Sequence, residues 1–252
     1  MGTDRKAGGD MGAKIGCVTG ADMGLGWELT KLGLEKGYDM VALVLREDGE
    51  KICGLSAAYP GKLTILGVDV TDEGAVEGAA ATVAQKFPCV DFIVNNAGVL
   101  FGSKYDKIDE IVDLDVAKFR RTLDVNVTGM AIVLKYFMPL IYKSASPVVV
   151  NITSEAGYLA SGGHNYLSYS VSKYAANMYS QKILNYLRSE RPDLHVRLFM
   201  MHPGRMQTVM GAENAQIEPS ESARGIYRVI DGEVDPQLDI PFINYKGEAM
   251  PH

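Results

Sequence analysis

Lys14-Ile15-Gly16-Cys17-Val18-Thr19-Gly20-Ala21-Asp22-Met23-Gly24-Leu25-Gly26 is a short apolar run that ends in a turn punctuated by glycine. Beyond it Trp27, Leu29, Leu32 and Leu34 recur at helical intervals as far as Gly37, so the segment predicts strand, tight turn, helix. Glycines let a backbone turn sharply and come close to a pyrophosphate. The helix that follows offers that anion unpaired N–H groups and a partial positive charge. The spacing TGxxxGxG differs from the GxGxxG form, but the physical requirement is the same. A plain tight turn explains the glycines equally well in isolation; their place directly after the first strand favours the phosphate reading.

Outward from this unit the pattern repeats. Met40 to Leu45 and Leu63 to Val68 read as buried strands, with helices from Gly49 to Ala58 and from Glu73 to Lys86. Val90 to Val94 is a fourth strand, and from Ala117 a long helix continues past Asn126 towards Tyr142. Pro147 to Ile152, His195 to Met200 and Ile240 to Tyr245 supply further strands, with helices through Tyr169 to Arg188 and Ser220 to Ile230 between them. Strict alternation of strand and helix predicts an α/β fold: a single-domain, doubly wound parallel sheet, Rossmann-like, flanked by helices. It would occupy residues 14–252, after a loose polar lead-in over 1–13, with the polar segment 205–219 as a substrate lid.

With 252 residues, 47% hydrophobic and 22% charged, the chain has the composition of a globular domain. A net charge of -6 and a pI near 5.3 argue against nucleic acid as a partner and leave a small molecule open. The longest apolar stretch, Met130 to Tyr142, is short for a bilayer and is interrupted by Lys135, so no membrane association and a cytoplasmic location are expected. Cys17, Cys53 and Cys89 lack metal-ligand spacing and fit reduced thiols; no metal site is expected.

The chemistry centres on Tyr169 and Lys173, four apart and therefore on one helix face. A neighbouring ammonium favours phenolate and brings the phenol, ordinarily near 10, towards use as a proton donor or acceptor. Taken alone the pair is more simply a decorated amphipathic helix. Ser154 follows the fifth strand, where parallel sheets meet ligands, and Asn95-Asn96-Ala97-Gly98 follows the fourth. Asp69 ends the third strand, where it could meet an adenine amino group or cap the next helix in competition with Thr71 and Asp72. Asn126 lowers helix propensity at its position, which hints at a use, although a solvent-facing Asn is the simpler reading.

Together Thr19-Gly20-xxx-Gly24-x-Gly26, Asn95-Asn96-Ala97-Gly98, Asn126, Ser154, Tyr169-xxx-Lys173 and Pro203-Gly204 resemble the classical short-chain dehydrogenase/reductase family over nearly the whole chain. The closing pattern with Phe242, Tyr245-Lys246-Gly247 and Pro251 is similar to the branch containing C-factor and Sniffer-type carbonyl reductases. The resemblance implies an NAD(P)-dependent oxidoreductase acting on a ketone, aldehyde or secondary alcohol. In that scheme Ser154 holds the substrate oxygen and Tyr169 exchanges its proton. Lys173 lowers the tyrosine pKa and binds the nicotinamide ribose, and Asn126 supports a proton-relay water. It further implies that Gly20, Gly24 and Gly26, with Asp22, Met23 and Leu25, hold the pyrophosphate. Asp69 and Val70 meet adenine, Asn95, Ala97 and Gly98 border the ribose, and Pro203, Gly204 and Thr208 border the nicotinamide amide. Homodimers or homotetramers, paired through helices 115–142 and 169–188, are also implied, although the sequence places few apolar residues on the faces away from the sheet.

The interval from Ser154 to Tyr169 is slightly long for the family, which predicts a bulge at Gly162-Gly163-His164 near the substrate entrance, with His164 either touching substrate or solvated. Met201, Met206 and Met210 suit an adaptable apolar pocket wall or core filling. Arg46 lies one residue beyond the family's usual 2'-phosphate position, while Val44 and Leu45 offer no carboxylate for a ribose hydroxyl. This favours NADP(H) over NAD(H). A non-catalytic nucleotide sensor on the same fold stays open as the alternative function.

Overall fold

Segments such as IGCVT, DMVALV and VVVNI are apolar on both faces, so they are stable only between two covering layers. The computed structural model, which describes residues 13–101, 111–160, 166–208, 210–211 and 215–252, places them in one sheet. Its strands are β1 (Ile15–Thr19), β2 (Asp39–Val44), β3 (Leu63–Gly67), β4 (Phe92–Asn95), β5 (Val148–Ile152), β6 (Arg197–His202) and β7 (Phe242–Asn244). They lie in the order β3-β2-β1-β4-β5-β6-β7 with every pairing parallel. The chain moves outward from β1 to β3 and then returns to β4 on the other side of β1. That reversal opens a crevice where the loops after β1 and β4 part.

Helices α1 (Gly24–Glu35), α2 (Glu50–Ala58) and α7 (Pro219–Ile230) cover one face. There Leu29, Ile52, Ile226 and Tyr227 pack with Val18, Ala42, Phe92 and Val150. On the other face are α3 (Glu73–Lys86), α4 (Val116–Leu123), α5 (Met130–Ile141) and α6 (Leu167–Glu190). Val83, Phe137, Ala176 and Leu184 pack there with Cys17, Leu43, Ile93 and Val149. Each large aliphatic or aromatic side chain removed from water in these layers stabilises the fold by roughly 1.5–3 kcal/mol. A polar staple closes the opposite end of the sheet from the crevice: Asp231 pairs with Lys14 at 2.8 Å and Lys36 at 3.0 Å and accepts from the Tyr38 hydroxyl at 2.8 Å.

Two expectations are corrected. The long helix is interrupted by a π-helical turn, Asp124–Gly129, between α4 and α5. Strand β6 starts later than His195, because Pro192–Leu194 forms a 3-10 turn and His195 takes a left-handed conformation with φ 48°. The rod Val116–Ile141 is, by length and composition, apolar enough to cross a membrane. Its apolarity has another cause, since Val133, Leu134, Phe137 and Ile141 are buried against the sheet. The lead-in to residue 12, the Gly162-Gly163-His164 bulge and part of the 205–219 segment lie outside the described residues.

Candidate active site

The turn after β1 is built for close approach. Gly20 has φ +62°, a region L side chains avoid. A Cβ on Gly26 would stand 2.0 Å from the Gly20 carbonyl oxygen, so no larger residue fits this backbone. α1 begins at Gly24, and its N-cap residue, the exposed Met23, supplies no side-chain hydrogen bond. The first-turn amides therefore lack a side-chain cap, which leaves them ready for an anion. Leu25 is buried beneath the turn, Asp22 is half-buried, and Thr208 arrives from the β6 side with its methyl against Gly24. These features fit a pyrophosphate cradle.

Thr19 and Asn96, quoted above only as motif positions, join the two sides of the crevice. Thr19 Oγ1 accepts from Asn96 N–H at 3.0 Å and Ala97 N–H at 2.9 Å. Asn96 Nδ2 donates to the carbonyls of Thr19 at 3.0 Å and Gly20 at 3.1 Å. Asn95 turns its side chain away, donating to Asn151 at 2.8 Å; Asn151 donates in turn to Ser180 of α6 at 2.8 Å. Only the backbone of Asn95 is thus left at the sheet's carboxyl edge.

On the adenosine side, Asp72 rather than Asp69 caps α3, accepting from Ala75 N–H at 3.0 Å. Asp69 accepts from Thr71 N–H and hydroxyl at 2.9 and 2.7 Å and pairs with Arg121 of α4 at 3.0 Å. Hydrogen bonds and the guanidinium hold its carboxyl below the usual range against the opposing effect of burial, which is the largest single influence. Val70, buried, packs against Gly129. Arg46 stands exposed past the end of β2 in a loose pair with Asp48 at 3.3 Å, while Glu47 accepts from the Gly67 amide. Glu47 is therefore already occupied within the protein.

The catalytic candidates converge at the carboxyl ends of β4 and β5. Asn126, placed by the π turn, is buried: its Oδ1 accepts from Val99 N–H at 2.8 Å, and its Nδ2 donates to Val99 O at 3.0 Å and Ser172 Oγ at 2.9 Å. It is not the solvent-facing residue of the simpler reading. Such π turns recur at functional positions because they re-aim one side chain. Lys173, 5% exposed, donates from Nζ to Ile152 O at 2.9 Å and sits 5.5 Å from the centroid of the Tyr169 ring. Gly98 lies beside it, where a Cβ would be 3.6 Å from Nζ and 3.2 Å from Asn126 Oδ1. Pro203 and Gly204 follow β6 across the crevice.

Ser154 stands near enough to Tyr169 to influence its phenol, and Ser154 Oγ accepts from Ala156 N–H at 3.1 Å. Burial pushes the phenol up to about 12; the nearby Ser154 hydroxyl draws it down and the Glu155 carboxylate adds to the rise. Burial likewise lowers the Lys173 ammonium to about 8. The downward pull of Lys173 on the phenol, expected from the spacing, is not among the influences on Tyr169 in the protein alone. No sequence motif marks Glu155, His202, Arg205 or Arg121; the local signal is a charged residue directly after Ser154 and one five positions before Asn126.

A parallel sheet whose strand order reverses beside a glycine turn is the architecture that binds dinucleotides, and at that crevice buried Asn126, Ser154 and Lys173 gather around the half-buried Tyr169. Residues 14–218 match the short chain dehydrogenase family model. The chain belongs to this family of NAD(P)-dependent oxidoreductases. It is 32% identical over 200 residues to an uncharacterized oxidoreductase of Schizosaccharomyces pombe, covering 79% of this chain and 63% of that protein, less than two thirds of its length. It is 31% identical over 221 residues to 1-hydroxy-2-glutathionyl-2-methyl-3-butene dehydrogenase of Rhodococcus sp., covering 85% and 89% of the two chains. The carbonyl reductase Sniffer of D. melanogaster has the same fold, with a TM-score of 0.85, 20% identity and coverage of 96% and 100%.

Proposed function

We propose that this protein exchanges hydride between NADP(H) and a ketone, aldehyde or secondary alcohol, with Tyr169 as general acid and base. The observation that carries the reading is the placing of Ser154 and the buried Lys173 ammonium around Tyr169, with Lys173 Nζ 5.5 Å from the centre of the phenol ring. A phenol held near 12 stays protonated at neutral pH, as the acid of a carbonyl reduction must. Ser154 would orient the substrate oxygen, and Lys173, charged below about 8, would stabilise the phenolate left behind. Asn126 would hold a relay water in reach of Lys173. The amides of the Gly20 to Gly26 turn would bind the pyrophosphate, Asp69 and Val70 the adenine, Asn95, Ala97 and Gly98 the ribose, and Pro203, Gly204 and Thr208 the amide. When bound, the nicotinamide supplies or accepts the hydride.

The direct test is nicotinamide absorbance with NADPH and a panel of aldehydes and ketones. Tight NADPH binding with no oxidation across the panel would favour the sensor alternative. In the same assay Arg46→Asp is expected to weaken NADPH at least tenfold while NADH changes little, because Arg46 is the cation at the end of β2 and its pairing with Asp48 is solvent-exposed and weak. Equal losses for both cofactors, or a wild-type preference for NADH, would count against NADP.

The chain is further proposed to be a cytoplasmic homodimer or homotetramer formed through α4, α5 and α6, with residues 14–252 acting as one domain and 205–219 as its lid. Val171, Tyr174, Met178 and Tyr186 lie exposed along α6, more apolar surface than the sequence had suggested. Sedimentation at micromolar concentration is expected to show a dimer or larger species, reduced to monomer by Tyr174→Glu with Met178→Glu. A monomeric wild type would refute the assembly.

A further inference from the structure

Glu155 follows Ser154 directly, and its charge reaches the Tyr169 phenol. Arg205, from the loop after β6, grips Glu155 through Nε and Oε1. The other carboxylate oxygen faces His202 Nε2 at 4.0 Å, while Glu155 N–H donates to His202 Nδ1 at 3.2 Å. That bond needs an unprotonated Nδ1, so the neutral imidazole carries its proton on Nε2, on the side of the carboxylate. Burial keeps His202 below its ordinary range; Glu155 works against this and Arg205 with it. The backbone oxygen of Arg205 also accepts from Gln216 N–H at 2.7 Å and Ile217 N–H at 3.3 Å. The ion pair thus fastens the loop that carries Ser154 to the base of the 205–219 segment. The charged and titratable groups around Glu155 among the described residues are Arg205, His202 and Tyr169, with Lys173 next beyond the phenol ring.

We propose that Arg205 is a positioning residue of the active site: it neutralises Glu155, so that Ser154 and Tyr169 meet substrate beside an ion pair instead of a bare carboxylate, and it keeps His202 neutral to hold the Glu155 amide. The inference rests on Tyr169 being the proton donor. Without Arg205, the uncompensated carboxylate opposes phenolate and favours imidazolium. A protonated His202 can no longer accept the Glu155 N–H, and the Ser154 loop loses an anchor.

The test compares Arg205→Met, Arg205→Lys, Glu155→Gln and the double variant Glu155→Gln/Arg205→Met by two measurements. One is the pH profile of alcohol oxidation with NADP+, and the other is titration of the His202 imidazole by NMR. Arg205→Met is expected to move the ionisation limb of oxidation and the His202 midpoint upward by about half a pH unit, since the Glu155–Arg205 pair is partly exposed. Arg205→Lys should restore most of both. Glu155→Gln should move both downward, and the double variant should return towards wild type. A uniform fall in kcat at every pH, with the limb and the His202 midpoint unmoved, would overturn the proposal. So would an unmoved profile in Glu155→Gln, which carries the test if Arg205→Met does not fold. If wild type turns over no alcohol or carbonyl, the oxidoreductase reading fails separately, and the His202 midpoints still decide whether the ion pair acts as stated.

Discussion

Tyr169→Phe is expected to fold, bind NADPH nearly as well as wild type and turn over roughly 10²–10⁴-fold more slowly, the range that one positioned acid or base contributes. The substitution deletes the hydroxyl and keeps the ring. Packing in the half-buried position is therefore retained, and Lys173 keeps its bond to Ile152 O at 2.9 Å. What disappears is the proton donor beside Ser154. Steady-state assays in both directions, alongside cofactor titration by fluorescence, check this. A loss confined to KM, or turnover within a few fold of wild type, would move the proton to another group. Because the phenol is held near 12 in the protein alone, the sharper consequence concerns direction. Reduction should stay active to high pH, while oxidation, which needs phenolate, should rise with pH in the wild type and lose that rise in the variant.

Much of this site was legible because its parts are local. A glycine turn after an apolar run announces itself, since Gly20 and Gly26 have steric reasons that no other residue satisfies. The Tyr169 and Lys173 pair needs only helical periodicity, and α6 supplies it. What stayed hidden is tertiary. Asn95, Asn151 and Ser180 form one hydrogen-bonded chain only because β4 and β5 are neighbours under α6. Asn126 looks like a weak helix residue until the π turn aims it at Val99 and Ser172. Glu155 and Arg205 are far apart in sequence and acquire meaning where the loops after β5 and β6 meet. Strand ends escape the apolar pattern where a local device intervenes, as at β6, where the left-handed His195 delays the strand to Arg197.

Lys173→Met should separate stability from function. The ammonium is buried at 5% exposure, and burial alone lowers it from 10.5 to about 8. A lysine depressed in the folded state binds fewer protons there than in the unfolded chain between those two values, so stability rises with pH across the window. Below about pH 8 the buried charge costs on the order of 3 kcal/mol, and above about pH 10.5 nothing. Methionine occupies similar space without the charge, but it leaves the Ile152 carbonyl, now bonded at 2.9 Å, without its donor, a loss of about 1–3 kcal/mol. The variant should therefore be more stable than wild type by on the order of 1 kcal/mol at pH 7 and less stable near pH 10.5. Activity goes the other way. Removing a buried cation placed to stabilise developing negative charge is expected to cost about 10²-fold or more in turnover, and NADPH affinity should fall as well if Lys173 meets the ribose. Denaturant melts at the two pH values, set beside NADPH titration, examine each part. Destabilisation at pH 7 equal to that at pH 10.5 would mean that the ammonium carries no desolvation penalty, and unchanged NADPH binding would remove Lys173 from the cofactor contacts while leaving its role beside Tyr169 intact.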